Sequence, residues 1–177
     1  MKDPQKSRRA SAVRDMAIFA MLGALLFCGD ILMEWLPNVH FVGILLMTYT
    51  LVYRVRALVP LYIYVILNGI YAGFSLWWMP YLYVWLPLWG IAMLLPKKLP
   101  RLAAIPLYMV ICALHGMLFG ALYAPFEAIV RGYNLSQTLA WIVAGLPFDA
   151  IHAVGNLAGG ILVLPLSELL KRLERSR

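Results

Sequence analysis

Three polar side chains recur at helical spacing inside an apolar run near the C-terminal end of the sequence. Asp149, His152 and Asn156 stand at i, i+3 and i+7, so at 100° per residue they share one face of a helix. A carboxylate, an imidazole and an amide so placed can hydrogen-bond a ligand, work as an acid–base pair or contribute metal ligands. Residues 147–166 form a run of about 30 Å as a helix, long enough to cross a hydrocarbon core. Polar groups at that depth are costly and rarely face lipid, so they point into the protein, at one another or at a ligand. Gly159, Gly160 and Val163 continue the face as a close-packing stripe, with Ile151, Val154, Ala158, Ile161 and Leu162 on the other side. Pro147 fits the first turn of that helix, where its missing N–H leaves no bond unmade.

Other groups able to do chemistry are scattered through apolar stretches. Asp30 and Glu34 lie one turn apart, and His40, Asn68 and His115 follow singly. Glu127 and Arg131 are spaced i, i+4. None of the histidines belongs to a tight metal-binding pattern such as His-Glu-x-x-His. Cys28 and Cys112 fall within apolar segments and read as free thiols packed as small apolar groups.

The composition decides what must position these groups. Of 177 residues 63% are hydrophobic and 13% charged, which excludes an ordinary soluble domain and fits one all-α integral membrane domain with short loops. Residues 1–16 are a basic head, residues 17–170 a single six-helix membrane domain, and residues 171–177 a basic tail. The spans fall near residues 17–36, 39–53, 57–74, 81–95, 102–123 and 147–166. A charged head before an apolar run resembles a signal peptide, but the bulky Phe27 before Cys28 and the length of the run argue for a retained helix. Turns are expected at Leu36, Pro37 and Asn38 and at Trp77, Trp78, Met79 and Pro80. Residues 124–146 are the one long connection, with a short helix capped at Asn134 and Gln137 lying on the outer surface. There is no internal repeat.

The formal charge of +7 sorts by span: fourteen of the fifteen basic residues fall in the head, after spans two and four, or in the tail, leaving Arg131 on the other side. Basic residues are retained on the cytoplasmic side, so both termini and the loops near Arg54 and Lys97 are expected to be cytoplasmic. The charge therefore serves orientation, and nucleic acid is not an expected partner. With this sidedness Asp30, Glu34, His40, Asn68, Asp149, His152 and Asn156 all lie toward the outside, a pattern that suits a cavity open outward and closed below. Tyr71, Phe74, Trp77, Trp78, Tyr81, Tyr83, Trp85 and Trp89 crowd spans three and four at the same level. They form an interfacial belt, or some of them, with Trp77, Trp78, Tyr81 and Trp85 as candidates, wall a pocket. In the inner half of span one, Ala17, Ala20 and Ala24 form a narrow small-residue band, for contact with a helix of the same chain or with a partner.

These features together resemble the substrate-binding S components of energy-coupling factor (ECF) vitamin importers. The stretches Leu36-Pro37-Asn38-Val39-His40, Trp77-Trp78-Met79-Pro80-Tyr81-Leu82-Tyr83-Val84-Trp85 and Gly145-Leu146-Pro147-Phe148-Asp149-Ala150-Ile151-His152-Ala153-Val154-Gly155-Asn156 look like members from Gram-positive bacteria, over residues 12–172. The resemblance implies a multi-pass cell-membrane protein, not an enzyme and with no resident cofactor or metal. It would bind one vitamin from outside through Asp149, His152, Asn156, Asp30, Glu34, His40, Asn68 and the aromatic group. It would then dock through Ala17, Ala20 and Ala24 on a transmembrane coupling subunit driven by two cytoplasmic ATPases. The look is closest to cobalamin-type members, with riboflavin, pantothenate, folate and a pyridoxal-type vitamin left open. The competing classes are an intramembrane enzyme built on Asp149 and His152 and a purely structural membrane subunit. The orientation is checked by labelling: a cysteine at Gly132 should react with an impermeant thiol reagent applied outside and one at Lys98 should not, and the reverse pattern would invert the topology.

Overall fold

The structure is a computed structural model and describes residues 4–36 and 40–176. Every regular element among them is helical: α1 (Pro4–Met33), α2 (Val42–Tyr53), α3 (Leu58–Ala72), α4 (Leu86–Leu94), α5 (Arg101–Met117), α6 (Phe119–Arg131), α7 (Leu135–Gly159) and α8 (Val163–Arg175). Short 3-10 helices cover Arg54–Ala57, Leu76–Leu82 and Gly160–Leu162. Four stretches are long and apolar enough to cross a membrane, Ser11–Met33, Val42–Ala72, Arg101–Arg131 and Leu135–Arg175. Ile70, Leu102, Ile129 and Val154 are each at least two-thirds exposed, an apolar outer surface that suits lipid rather than water. The chain has the character of a multi-pass membrane protein.

The four long stretches differ from the six expected spans for two reasons. The Val42–Ala72 stretch doubles back on itself at Arg54, and α4, with nine residues, is only about 14 Å long. The doubling back is visible in the side-chain bonds. Asp30, near the C-terminal end of α1, is bonded by His40 just before α2 and by Tyr64 and Asn68 of α3. At the other end of the bundle Asp15 of α1 meets Arg56, Tyr53 of α2 meets Glu174, and Arg101 of α5 meets Glu168 of α8. So α1 runs from the basic end to the Asp30 end, α2 returns, and α3 rises again. The turn between α2 and α3 is held by Arg54, whose φ of 57° is the one positive value outside glycine among the described residues. Its guanidinium donates to the carbonyls of Ala92 and Met93 at the C-terminal end of α4, where the exposed carbonyls and the helix dipole favour a cation.

α2 lies at the centre, buried along its length from Val42 to Thr50 and apolar on all sides, as befits a helix surrounded by others. Its two threonine hydroxyls are satisfied by their own helix, Thr48 donating to the Ile44 carbonyl at 2.8 Å and Thr50 to Leu46 at 2.7 Å. Around it, Phe19, Leu22 and Leu26 of α1, Leu61 and Val65 of α3, Leu88 and Ala92 of α4 and Val163 of α8 complete the core.

Several expectations from sequence are corrected here. The basic head is already helical from Pro4 and continuous with α1. The turn expected at Leu36, Pro37 and Asn38 falls in part outside the described residues. Trp77 to Pro80 form part of a 3-10 helix rather than a simple turn. There is no long outer connection: α6 occupies its first part, and a link of three residues leads to α7, which starts at Leu135 instead of Pro147. Asn134 and Gln137 do make the expected reciprocal cap, with side chain and backbone paired both ways at 2.9 Å. They cap the long helix rather than a separate short one, and Pro147 sits inside it. The apolar face that continues past Pro147 keeps the helix going despite the one bond the proline removes. Trp89 lies toward the basic end and donates to the Arg54 carbonyl at 3.3 Å, away from the other tryptophans.

α5 packs against α7 and the 3-10 helix that follows it with glycines at the contact. A methyl group at Gly116 would stand 2.8 Å from Asn156 Nδ2 and 2.9 Å from the His152 carbonyl carbon, and one at Gly160 would stand 2.6 Å from Met109 Cα. Backbone atoms cannot swing aside, so Gly116→Ala and Gly160→Ala should each lower the thermal midpoint in detergent, at a cost of about 1–3 kcal/mol. Gly145→Ala, where nothing lies within 4 Å, should leave it unchanged or raise it.

Candidate functional site

The best-connected polar group is Asp30. Its Oδ1 accepts from His40 Nδ1 at 2.9 Å, and its Oδ2 accepts from the Tyr64 hydroxyl at 2.8 Å and from Asn68 Nδ2 at 3.2 Å. Because a carboxylate only accepts, His40 carries its proton on Nδ1 and turns Nε2 elsewhere. The His40 ring lies 4.6 Å from that of His152, which in turn lies 5.0 Å from Phe119. His152 is buried against these rings, and its own ring makes no hydrogen bond among the described residues. Trp85 stacks on His115 at 5.4 Å, also touches Phe119, and meets Tyr64 and Tyr81 edge-on. His115 Nε2 donates to the Val84 carbonyl at 2.9 Å.

Asp30, His40, Tyr64, Tyr81, Trp85 and Phe119 together line a cavity of about 10 Å³, room for one water molecule. Two buried polar groups near this region, the Tyr83 hydroxyl and the Trp85 indole N–H, have no hydrogen-bond partner among the described residues, and Trp85 forms one wall of the cavity. Trp85 is 4% exposed, yet its indole N–H has no acceptor among the described residues. A buried donor left unpaired is costly, and an acceptor placed there recovers that cost. The cavity thus brings a carboxylate and an imidazole together with the rings of Tyr64, Tyr81, Trp85 and Phe119.

The predicted residues divide among different roles. Asp30, His40, Asn68, Tyr81, Trp85 and His152 converge on one region. Asp149 is buried one turn away but turns to the backbone, its two oxygens each 3.1 Å from the Gly120 N–H; no bond joins it to His152. Asn156 is buried where α7 crosses α2 and α5, close to Gly43 and Gly116. Glu34 lies past the end of α1 and is exposed. The Trp78 indole donates to the Val65 carbonyl at 2.7 Å, and the Trp77 carbonyl accepts from Tyr123, so these two brace the 3-10 helix against α3 and α6 and do not line the cavity. Glu127 and Arg131 pair with each other along α6. Ala17, Ala20 and Ala24 are exposed, on the side of α1 roughly opposite its buried Phe19, Leu22 and Leu26; no described helix of the chain covers them.

Tyr64 and Phe119 were missed. Tyr64 is one aromatic residue among many in an apolar helix, and only the position of Asp30 reveals its hydroxyl as a partner. Phe119 carries no signal at all.

Comparison with protein-family models, with curated proteins and with solved structures finds no match. The site therefore rests on its own geometry. Asp30→Ala would leave the His40, Tyr64 and Asn68 donors facing an apolar interior and should cost on the order of 3 kcal/mol, read as a fall in the thermal midpoint. Asp30→Asn, which keeps one acceptor oxygen, should lose less, and Glu34→Ala should change nothing.

Proposed function

We infer that the chain is a ligand-capturing membrane subunit of the S-component kind, taking a vitamin-class molecule from outside and handing it to a coupling subunit powered by two separate ATPases. The observation that carries this reading is the aromatic cavity that gathers Asp30 and His40 against Trp85, whose buried N–H has no acceptor among the described residues. A buried donor left unpaired costs a purely structural bundle stability, whereas a ligand that brings an acceptor recovers that cost. The same reading takes the chain as crossing the membrane six times, with the basic end inside. The doubled Val42–Ala72 stretch supplies two crossings, and the 3-10 helix with α4 supplies another.

Two further observations support it. The polar cluster sits at the end of the bundle opposite the basic residues, where an outward-facing site would lie under the orientation read from charge. The exposed alanine band on α1 offers a partner helix close approach, which in lipid depends on small side chains. The cavity as it stands holds about one water molecule, so entry of any vitamin-class ligand requires the surrounding segments to part. An acid–base pair of Asp149 and His152 is the weaker reading, because the Asp149 carboxylate is committed to Gly120.

Mass spectrometry of small molecules retained by the purified protein tests the proposal. A vitamin-class compound should co-purify, and Trp85→Phe should weaken its binding about tenfold. Ala20→Trp should keep the ligand but lose co-purification with a coupling complex. Absence of any bound compound across a vitamin screen, or full assembly and uptake by Ala20→Trp, would overturn the reading.

A further inference from the structure

A second cavity lies at the basic end of the bundle, far from the Asp30 cluster. It measures about 280 Å³ and is lined by Leu51, Val52, Arg54, Pro96, Lys97, Tyr108 and Lys171, so that α2, the loop between α4 and α5, α5 itself and α8 all contribute. Three of the lining residues are cations and none is an acid. The acids nearby in sequence are already engaged, Glu168 with Arg101 and Glu174 with Tyr53. Three like charges around one cavity repel one another until an anion enters.

The cavity has features that ordinary retention of basic residues on one side of a membrane would not produce. Arg54 is held there at a backbone angle that disfavours a side chain. Two of its guanidinium nitrogens are fixed by the Ala92 and Met93 carbonyls, and its remaining N–H groups stay available. A cation fixed in this way loses little entropy on meeting a planar or tetrahedral oxyanion. Leu51, Val52 and Pro96 supply an apolar wall. Leu94 and Leu102, at the helix ends joined by the loop that carries Lys97, are 85% and 93% exposed and present an apolar flank to acyl chains.

We propose that this cavity holds the phosphodiester headgroup of an anionic phospholipid from the leaflet on the basic side. Lys97 and Lys171 bracket the phosphate, Arg54 forms the fixed floor, and the acyl chains run down the lipid-facing side of α4 and α5. An anionic head on two apolar tails matches a cationic pocket that opens onto an apolar flank. The assignment is independent of the ligand site at the other end of the bundle.

Native mass spectrometry of the detergent-solubilised full chain is the test, with phosphatidylglycerol and phosphatidylcholine of the same acyl chains as probes and inorganic phosphate as competitor. Phosphatidylglycerol should bind at least about tenfold more tightly than phosphatidylcholine. The double variant Lys97→Gln with Lys171→Gln should lose most of that preference while keeping its thermal midpoint, since both side chains are exposed. Lys98→Gln with Arg175→Gln removes the same charge from the same end without touching the cavity and should keep the preference. Equal binding of the two lipids, or equal loss in both double variants, would overturn the proposal in favour of diffuse surface attraction. Displacement of phosphatidylglycerol by millimolar phosphate would overturn it in favour of a soluble anion.

Discussion

A carboxylate inside an apolar bundle must be given donors, and Asp30, on α1, takes its three donors from two other segments. His40 comes from the link into α2, and Tyr64 and Asn68 from α3. An unpaired charge at that depth would cost several kcal/mol, so the ends of these segments are fixed relative to one another before any other contact is considered. The reversal at Arg54 follows from this constraint. With α2 starting beside Asp30 and α3 having to bring Tyr64 back to it, the chain must turn around in the few residues between, at the price of one strained residue. The constraint also explains why α2 becomes the central helix, with both of its neighbours in sequence tied to the same carboxylate.

The second half of the chain is organised by contact rather than by charge. α5 and α7 come together where Gly116 and Gly160 remove a side chain from the interface, and the buried side of α7 carries Asp149, His152 and Asn156 into the gap so formed. Each of the three meets a different neighbour. Asp149 takes the Gly120 N–H, His152 joins the rings around Asp30, and Asn156 fills the crossing with α2. Of the three, only His152 reaches the rings beside the cavity, where Phe119 and His115 also join the two halves through Trp85.

Much of this was legible in the sequence because membrane burial makes polarity informative. The stripe at Asp149, His152 and Asn156 follows from helical period alone, and the structure buries all three. The outward face of the same helix, with Ile151, Val154 and Ile161, was equally plain. The start of α7 was misread because proline at position 147 suits a first turn as well as an interior kink, and local preference does not distinguish them. The cluster around Asp30 was legible as a set of polar residues but not as a set of partners. Which hydroxyl among ten tyrosines reaches a given carboxylate depends on how helices pair, and pairing is not written in any one segment. Trp77 and Trp78 show the same limit from the other side. An adjacent pair of indoles near a membrane surface looks like a binding wall, yet they brace the backbone instead.

From Leu135 to Arg175 the chain is helical without a break, 41 residues in all, or about 60 Å at 1.5 Å per residue. That is roughly twice the thickness of a hydrocarbon core. A strut of this length leans, or stands clear of the bilayer at its ends, and it mechanically joins His152 beside one cavity to Lys171 beside the other. Its bending stiffness is interrupted at two places, Pro147 and the 3-10 segment Gly160–Leu162. One continuous helical run therefore supplies a residue to the aromatic cluster at one end and to the cationic cavity at the other. The two ends of the molecule share this stretch of backbone, although no side chain reaches from one to the other.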